Sequence, residues 1–285
     1  MPPARGSGLR TLVAGGRYFE SPRWHGDYLW MVDSLARMIL RLRATGDCEK
    51  VCDVEGVPGG LGVRSTGEVV VVSVFKGMLL EYRAGHLTTL ADLRAVAAGT
   101  LDDMIIDGQG RAYVGDLGFD LRRPATGALG RVILVPREGT SPRVVAEGLR
   151  FPNGLAVSGD GKQLLVAESA GDCLVRFDIE DDGSLLFRGR FGRLGEPDGI
   201  CMDREGCVWV SLFKEDAFAR VDGAGRVLER VSTPGRRAVA CALGGQDRRT
   251  LFCLSAETTH EDLRSGRSRA QVDAVEVEVP GAGFP

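Results

Sequence analysis

One pattern recurs six times along the chain, and it constrains the fold more than any other feature. Each copy is a turn built from Asp or Gly with polar neighbours, followed by an apolar run that ends in small or polar residues. His25-Gly26-Asp27 leads into 28–33, Ser65-Thr66-Gly67 into 68–73, and Asp107-Gly108-Gln109-Gly110 into 111–115. The later copies span 158–167, 203–211 and 244–253. With Trp30, Val71, Tyr113, Leu165, Trp209 and Phe252 taken as equivalent, the spacings are 41, 42, 52, 44 and 43 residues. A period of roughly 40 to 45 residues, with about four short strands per unit, is the signature of a β-propeller. Six copies predict an all-β, six-bladed β-propeller with four-stranded antiparallel blades around a central channel, formed by residues 1–285 as a single domain.

Ring closure is also legible. Residues 272–279 alternate apolar and polar side chains, while Leu12-Val13-Ala14 stands ahead of the first copy, so the two ends are expected to complete one blade and leave no long open edge. Two β-sandwich domains are the competing architecture, but nothing resembling a linker interrupts the even spacing. The 40 glycines and few aromatics fit tight turns between short strands.

Charge and hydropathy narrow the partners. The 36 basic and 39 acidic residues are spread along the chain at a net charge of -3, which leaves no basic stripe for nucleic acid. No apolar run approaches the roughly 18 residues of a membrane span, and residues 1–10 do not read as a signal peptide. The seven cysteines form no C-x-x-C pair and sit in apolar runs such as Leu251-Phe252-Cys253-Leu254, as in a reducing compartment. The expectation is a soluble cytoplasmic protein acting on a small molecule, without nucleic-acid or membrane partners.

The strand ahead of each turn lines the channel in a propeller, so polar residues there call for explanation. Phe19-Glu20-Ser21-Pro22-Arg23-Trp24, Leu101-Asp102-Asp103-Met104, Phe151-Pro152-Asn153-Gly154 and Glu196-Pro197-Asp198-Gly199 place Glu, Asp or Asn at one phase of four repeats. Singly, such segments read as turn chemistry. Together they aim several oxygen-bearing side chains at one axis, where like charges raise each other's pKa unless a cation intervenes. Oxygen donors without Cys or His select one hard divalent ion: Ca²⁺ first, with Mg²⁺, Mn²⁺ or Zn²⁺ as substitutes.

These motifs resemble the SMP-30/gluconolactonase/LRE family over nearly the whole chain, through Glu20-Ser21-Pro22-Arg23-Trp24, 103–107 with Gly110-Arg111, Pro152-Asn153-Gly154 and Pro197-Asp198-Gly199. The resemblance implies a metal held by Glu20, Asn153 and Asp198, with Asp198 as general base and Asp102 beside it in the catalytic group. Two departures stand out. Asp102 occupies a position where many sugar-lactonase relatives carry Asn, and Thr100 stands where the sugar-specific members carry an Arg that contacts substrate hydroxyls. The implied activity is hydrolysis of a lactone or related ester other than a simple sugar lactone. Asp102, Asp116 and Phe151 are candidate substrate contacts, with Ser169 a weaker one and Phe19, Phe119 and Phe213 as apolar neighbours of the channel.

Alternatives stay open at this level: a non-hydrolytic step of a biosynthetic route, or a non-catalytic binding propeller. A catalytic Cys201 lacks a suitably spaced His. Ser21, Ser211 and Ser255 lack a G-x-S-x-G elbow, which disfavours a serine triad. His25, His86 and His260 read as surface residues, and 258–269 as a lid over one face or a solvated insertion.

Overall fold

The computed structural model describes residues 8–123, 127–138 and 141–283. It shows six four-stranded antiparallel sheets arranged as the blades of a propeller. The innermost strands are β2 (Phe19–His25), β6 (Pro58–Val63), β10 (Leu101–Ile106), β14 (Pro152–Val157), β18 (Pro197–Met202) and β22 (Arg237–Gly244). Each pairs with the strand that follows it, and the first five blades run outward in sequence order. The sixth is ordered β22, β23 (Thr250–Glu257), β24 (Arg269–Glu276) and then β1 (Arg10–Gly16), so the two ends of the chain meet in one sheet. The expected closure holds, with its C-terminal strand three residues earlier than the alternation predicts.

Local chemistry explains the repeat. In the third copy Asp107 Oδ1 accepts the backbone N–H groups of Gln109 and Arg111, both at 2.9 Å, and Gly110 takes a φ of 79°. That left-handed conformation disfavours residues with a Cβ. Asp203 repeats the arrangement with Glu205 and Cys207. Between blades the apolar faces meet in dry clusters. Phe19, Leu29, Phe252 and Val272 join blades 1 and 6, while Val70, Leu79, Met104 and Val114 join blades 2 and 3. Each such side chain contributes roughly 1.5–3 kcal/mol on burial.

Every inner strand carries one extra residue in a bulge, between Glu20 and Arg23, Pro58 and Leu61, Leu101 and Met104, Pro152 and Leu155, Pro197 and Ile200, and Ala238 and Ala240. At this level neighbouring inner strands nearly touch: a Cβ on Gly154 would lie 2.4 Å from the carbonyl oxygen of Asp198. Blade 2 has only Gly59 and Gly60 there, and an ion pair links the blades on either side of it. Arg23 Nη2 lies 3.3 Å from Asp103 Oδ1 and donates to the carbonyl of Met104 at 2.6 Å, while Ser21 Oγ donates to the same Asp103 oxygen at 2.8 Å. Both ionised side chains are buried. The pair divides the channel into the end where the inner strands begin and the end where they finish.

Residues 258–269 include a single helical turn, α1 (His260–Arg264), capped by Thr259. Its His260 ring stacks on Phe213 at 4.8 Å and its Nε2 lies 2.7 Å from Glu196 Oε1, on the side where the inner strands begin. The segment touches that face through His260, while none of its helical residues is buried. No helix among the described residues is long and apolar enough to cross a membrane.

Arg23→Met would leave the Asp103 carboxylate buried without its cation, at a cost of about 3–5 kcal/mol. A matching fall in the urea unfolding midpoint is expected, and the double variant Arg23→Met/Asp103→Leu should recover most of it; an unchanged midpoint in the single variant would show that the pair is not a structural tie.

Candidate active site

The bulges decide which side chains reach the axis. Near the starts of their strands, Glu20 on β2, Asp102 on β10 and Asp198 on β18 lie close enough for the charges of Glu20 and Asp102 to act on Asp198, and Asn153 on β14 is tied to Pro197 beside Asp198 through Ser169. Glu20, Asp102 and Asn153 keep partial exposure and Asp198 is buried. Burial, reinforced by Asp102, pushes the Glu20 carboxyl up to about 8. Burial and then Asp103 push Asp102 up to about 7. Asp198 is held well above the usual carboxylate range by burial, then by Glu20 and Asp102. Glu20 and Asp198 thus respond to their neighbours' charge, the expected signature of carboxylates that share a site. Among the described residues neither Asp102 nor Asp198 has a cationic or hydrogen-bonding side-chain partner, and Arg23 is already engaged by Asp103.

Neighbouring hydroxyls orient the donors. Ser34 Oγ donates to Glu20 Oε2 at 3.0 Å, which leaves Oε1 to the channel. The single hydroxyl proton of Ser169 goes to the carbonyl of Pro197 at 2.6 Å, so Ser169 must accept from Asn153 Nδ2, 3.2 Å away. That contact fixes the Asn153 amide with its oxygen, not its nitrogen, as the unengaged atom. Among the described residues no group of three His, Cys, Asp or Glu side chains closes on one point. A cation held here would therefore need the Asn153 oxygen to complete a set with Glu20 and Asp198. The donors fit such an ion: all are hard oxygens, with an excess of negative charge and no internal counter-ion.

The structure separates the other candidates. Phe151 adopts a φ of 60° and faces Phe119 with ring centroids 6.0 Å apart, beside the mouth. Phe19 and Phe213 are instead turned into the core. Asp116 must be corrected. It is fully buried, Oδ1 accepting from Gly118 N–H at 2.9 Å and Oδ2 from Ala98 N–H at 2.7 Å, so it anchors the loop ahead of β10 and has no surface for a substrate. Asp33 does the same for Arg17 and Tyr18 N–H ahead of β2, and Glu168 for Arg150 N–H ahead of β14. Three equivalent carboxylates thus set the loops that carry Glu20, Asp102 and Asn153. Their common phase at the ends of the second strands, Asp33, Asp116 and Glu168, was readable as a repeat, but not their inward hydrogen bonds.

Sequence reasoning also passed over Tyr18 and Ser34. Burial and then Asp198, Glu20 and Asp102 raise the Tyr18 hydroxyl, which keeps it a protonated donor beside the carboxylates. Thr100 is buried and its Oγ1 accepts the N–H of Leu121 at 2.9 Å, holding the loop that carries Phe119. Ser21 is engaged with Asp103 and Ser255 with Arg236, and among the described residues no serine of the three pairs with a histidine.

Comparison with known proteins now decides the relationship. The model of the SMP-30/Gluconolactonase/LRE-like region matches residues 19–257. The chain belongs to this family. The match opens one residue before Glu20 and ends before α1, so the helical turn lies outside the matched region. Among family relatives, the 6-deoxy-6-sulfogluconolactonase of Pseudomonas putida is 28% identical over 277 residues, 93% of each chain. Regucalcin of Gallus gallus is 25% identical over 84% of this chain and 83% of its own. A gluconolactonase structure from Xanthomonas campestris superposes with a TM-score of 0.78 at 25% identity, covering 93% of this chain and 89% of that one.

Glu20 and Asp102 keep a proton in the metal-free native state that the unfolded chain releases near its ordinary carboxylate pKa, so native stability falls as pH rises between the unfolded and folded values. Metal-free protein should lose melting temperature from about pH 4 to about pH 8, and added Ca²⁺ should restore most at the upper end, where it no longer competes with protons. A melting temperature that is flat with pH and indifferent to Ca²⁺ would contradict the shared site.

Proposed function

We propose that the protein is a divalent-metal-dependent hydrolase of lactones, with Glu20, Asn153 and Asp198 as ligands and Asp198 as general base. The observation that carries the reading is the group of mutually repelling carboxylates at one channel mouth, with an Asn amide oriented to present its oxygen. Relatives named as lactonases support the reaction class. When bound, the cation supplies a Lewis acid that polarises the lactone carbonyl and acidifies water.

The chain's own groups do the rest. Asp198 takes the proton of the attacking water as the carbonyl carbon becomes tetrahedral, and returns it to the ring oxygen as the C–O bond breaks. Asn153, fixed by Ser169, and Glu20, fixed by Ser34, hold their oxygens without reorganisation. Tyr18, buried beside the carboxylates, supplies a protonated hydroxyl. Asp102 adds a negative charge that disfavours anionic groups near the reacting carbon.

Substrate choice follows from the mouth. Thr100 is buried in loop contacts, so no guanidinium reaches for polyol hydroxyls from that position. The rim there carries apolar surface among charged groups: the Phe119 and Phe151 rings meet at 6.0 Å, and Phe75, with the Arg122 guanidinium over its ring, and Leu121 are 38% and 43% exposed. This arrangement supports a lactone with a hydrophobic face over a sugar lactone.

In a panel of aliphatic, aromatic and sugar lactones assayed with and without chelator, opening of the more apolar substrates and loss of turnover with EDTA are expected. Asp198→Asn should lower kcat by roughly 10²-fold or more while keeping part of the metal through its amide oxygen. Asp102→Asn should cost less and widen acceptance of polar lactones. If metal-loaded wild type opens no lactone or ester, the non-hydrolytic biosynthetic reading takes its place. If Asp198→Asn keeps full turnover while Asp102→Asn abolishes it, the two roles are exchanged.

A further inference from the structure

The far end of the channel, beyond the Arg23–Asp103 pair, is built differently. Where the inner strands finish, a cavity of about 370 Å³ lies among the ends of β2, β6 and β10, with Arg248 and Gly283 also in its lining. Its charged lining is Arg64, Arg137, Arg248 and Asp107, with His25 and Trp24 beside them.

The charges do not balance within the cavity. Asp107 is held by Arg111, whose Nε lies 2.6 Å from Oδ2, and by two backbone N–H groups. Arg64 pairs through Nη1 with Glu81 Oε1 at 2.8 Å, but its buried Nε has no partner. Arg137 and Arg248 have no carboxylate partner among the described residues. Like charges brought into one concavity repel, yet the fold keeps Arg64 and Arg248 half-buried beside the more exposed Arg137. Arg137 lies across Gly110, where a Cβ would meet its Cδ at 2.9 Å. Arg248 sits at a φ of 60°, a conformation most side chains avoid, and its carbonyl accepts the N–H of Gly281 at 2.9 Å.

We propose that this cavity is a second binding site, specific for a small phosphoryl-class polyanion such as a phosphate ester or diphosphate. Guanidinium groups present paired donors that match phosphate oxygens, and converging ones are the usual solution for binding such anions. The volume suits a phosphorylated metabolite rather than a bare halide. The site is independent of the lactonase reading, since its residues lie on the other side of the buried ion pair from Asp198.

Trp24 lines the cavity and serves as a reporter. Titration of the full-length protein with sodium pyrophosphate, followed by tryptophan fluorescence and calorimetry, should show one saturable site with a submillimolar Kd that weakens with added NaCl. Arg137→Gln and Arg248→Gln should each raise Kd about tenfold, the effect of losing one charge-assisted contact, at unchanged melting temperature. Asp198→Asn should bind pyrophosphate as the wild type does. Absence of saturable binding, or wild-type affinity in both arginine variants, overturns the proposal. Loss of binding in Asp198→Asn with retention in the arginine variants overturns it too, by placing the anion at the other mouth.

Discussion

Arg23 and Asp103 meet near the axis of the ring, and the arrangement at both ends of the channel depends on that meeting. Desolvating two ions is costly, and the geometry offsets the cost by giving Asp103 the Ser21 hydroxyl and its neighbour's N–H, and Arg23 the Met104 and Pro22 carbonyls. Blade 2 presents only glycines at this level, so the pair spans from blade 1 to blade 3 without obstruction. The consequence is a segregation of charge. Arg23 is neutralised inside the tie, which leaves Asp102 and Asp198 on one side without a cationic partner among the described residues, while on the other side Arg137 and Arg248 have no carboxylate partner among them.

The acidic end then behaves as a preorganised site rather than a random cluster. Its three carboxylates and the Asn153 amide sit at the bulges of four different inner strands, and its two hydroxyl partners, Ser34 and Ser169, each take up one atom of a donor and leave the other facing the channel. The loops leading into these strands are anchored in turn by Asp33, Asp116 and Glu168. Such layered support is what positions reacting groups on a scaffold whose fold alone does not fix a reaction. The rings of Phe119 and Phe151 and the turn that meets Phe213 through His260 are superimposed on this frame.

The sequence by itself determined the architecture, because a propeller is written in local chemistry: an Asp that caps its own turn, a Gly at positive φ, and alternating apolar residues that recur with one period. The same periodicity put Glu20, Asp102, Asn153 and Asp198 at equivalent phases, from which their approach to one channel mouth is expected before any coordinates. What only the tertiary structure decided was direction and pairing. Asp116 shares its neighbourhood in sequence with the channel residues, yet it folds back onto the N–H groups of Ala98 and Gly118. Thr100 turns its hydroxyl to Leu121, and Phe213 goes under His260. Arg64, Arg137 and Arg248 belong to three blades, and nothing in their local sequence says that they share a cavity. Hydrogen-bond direction and long-range charge balance depend on atoms brought together from distant repeats, and a pattern with a period of one blade carries no record of them.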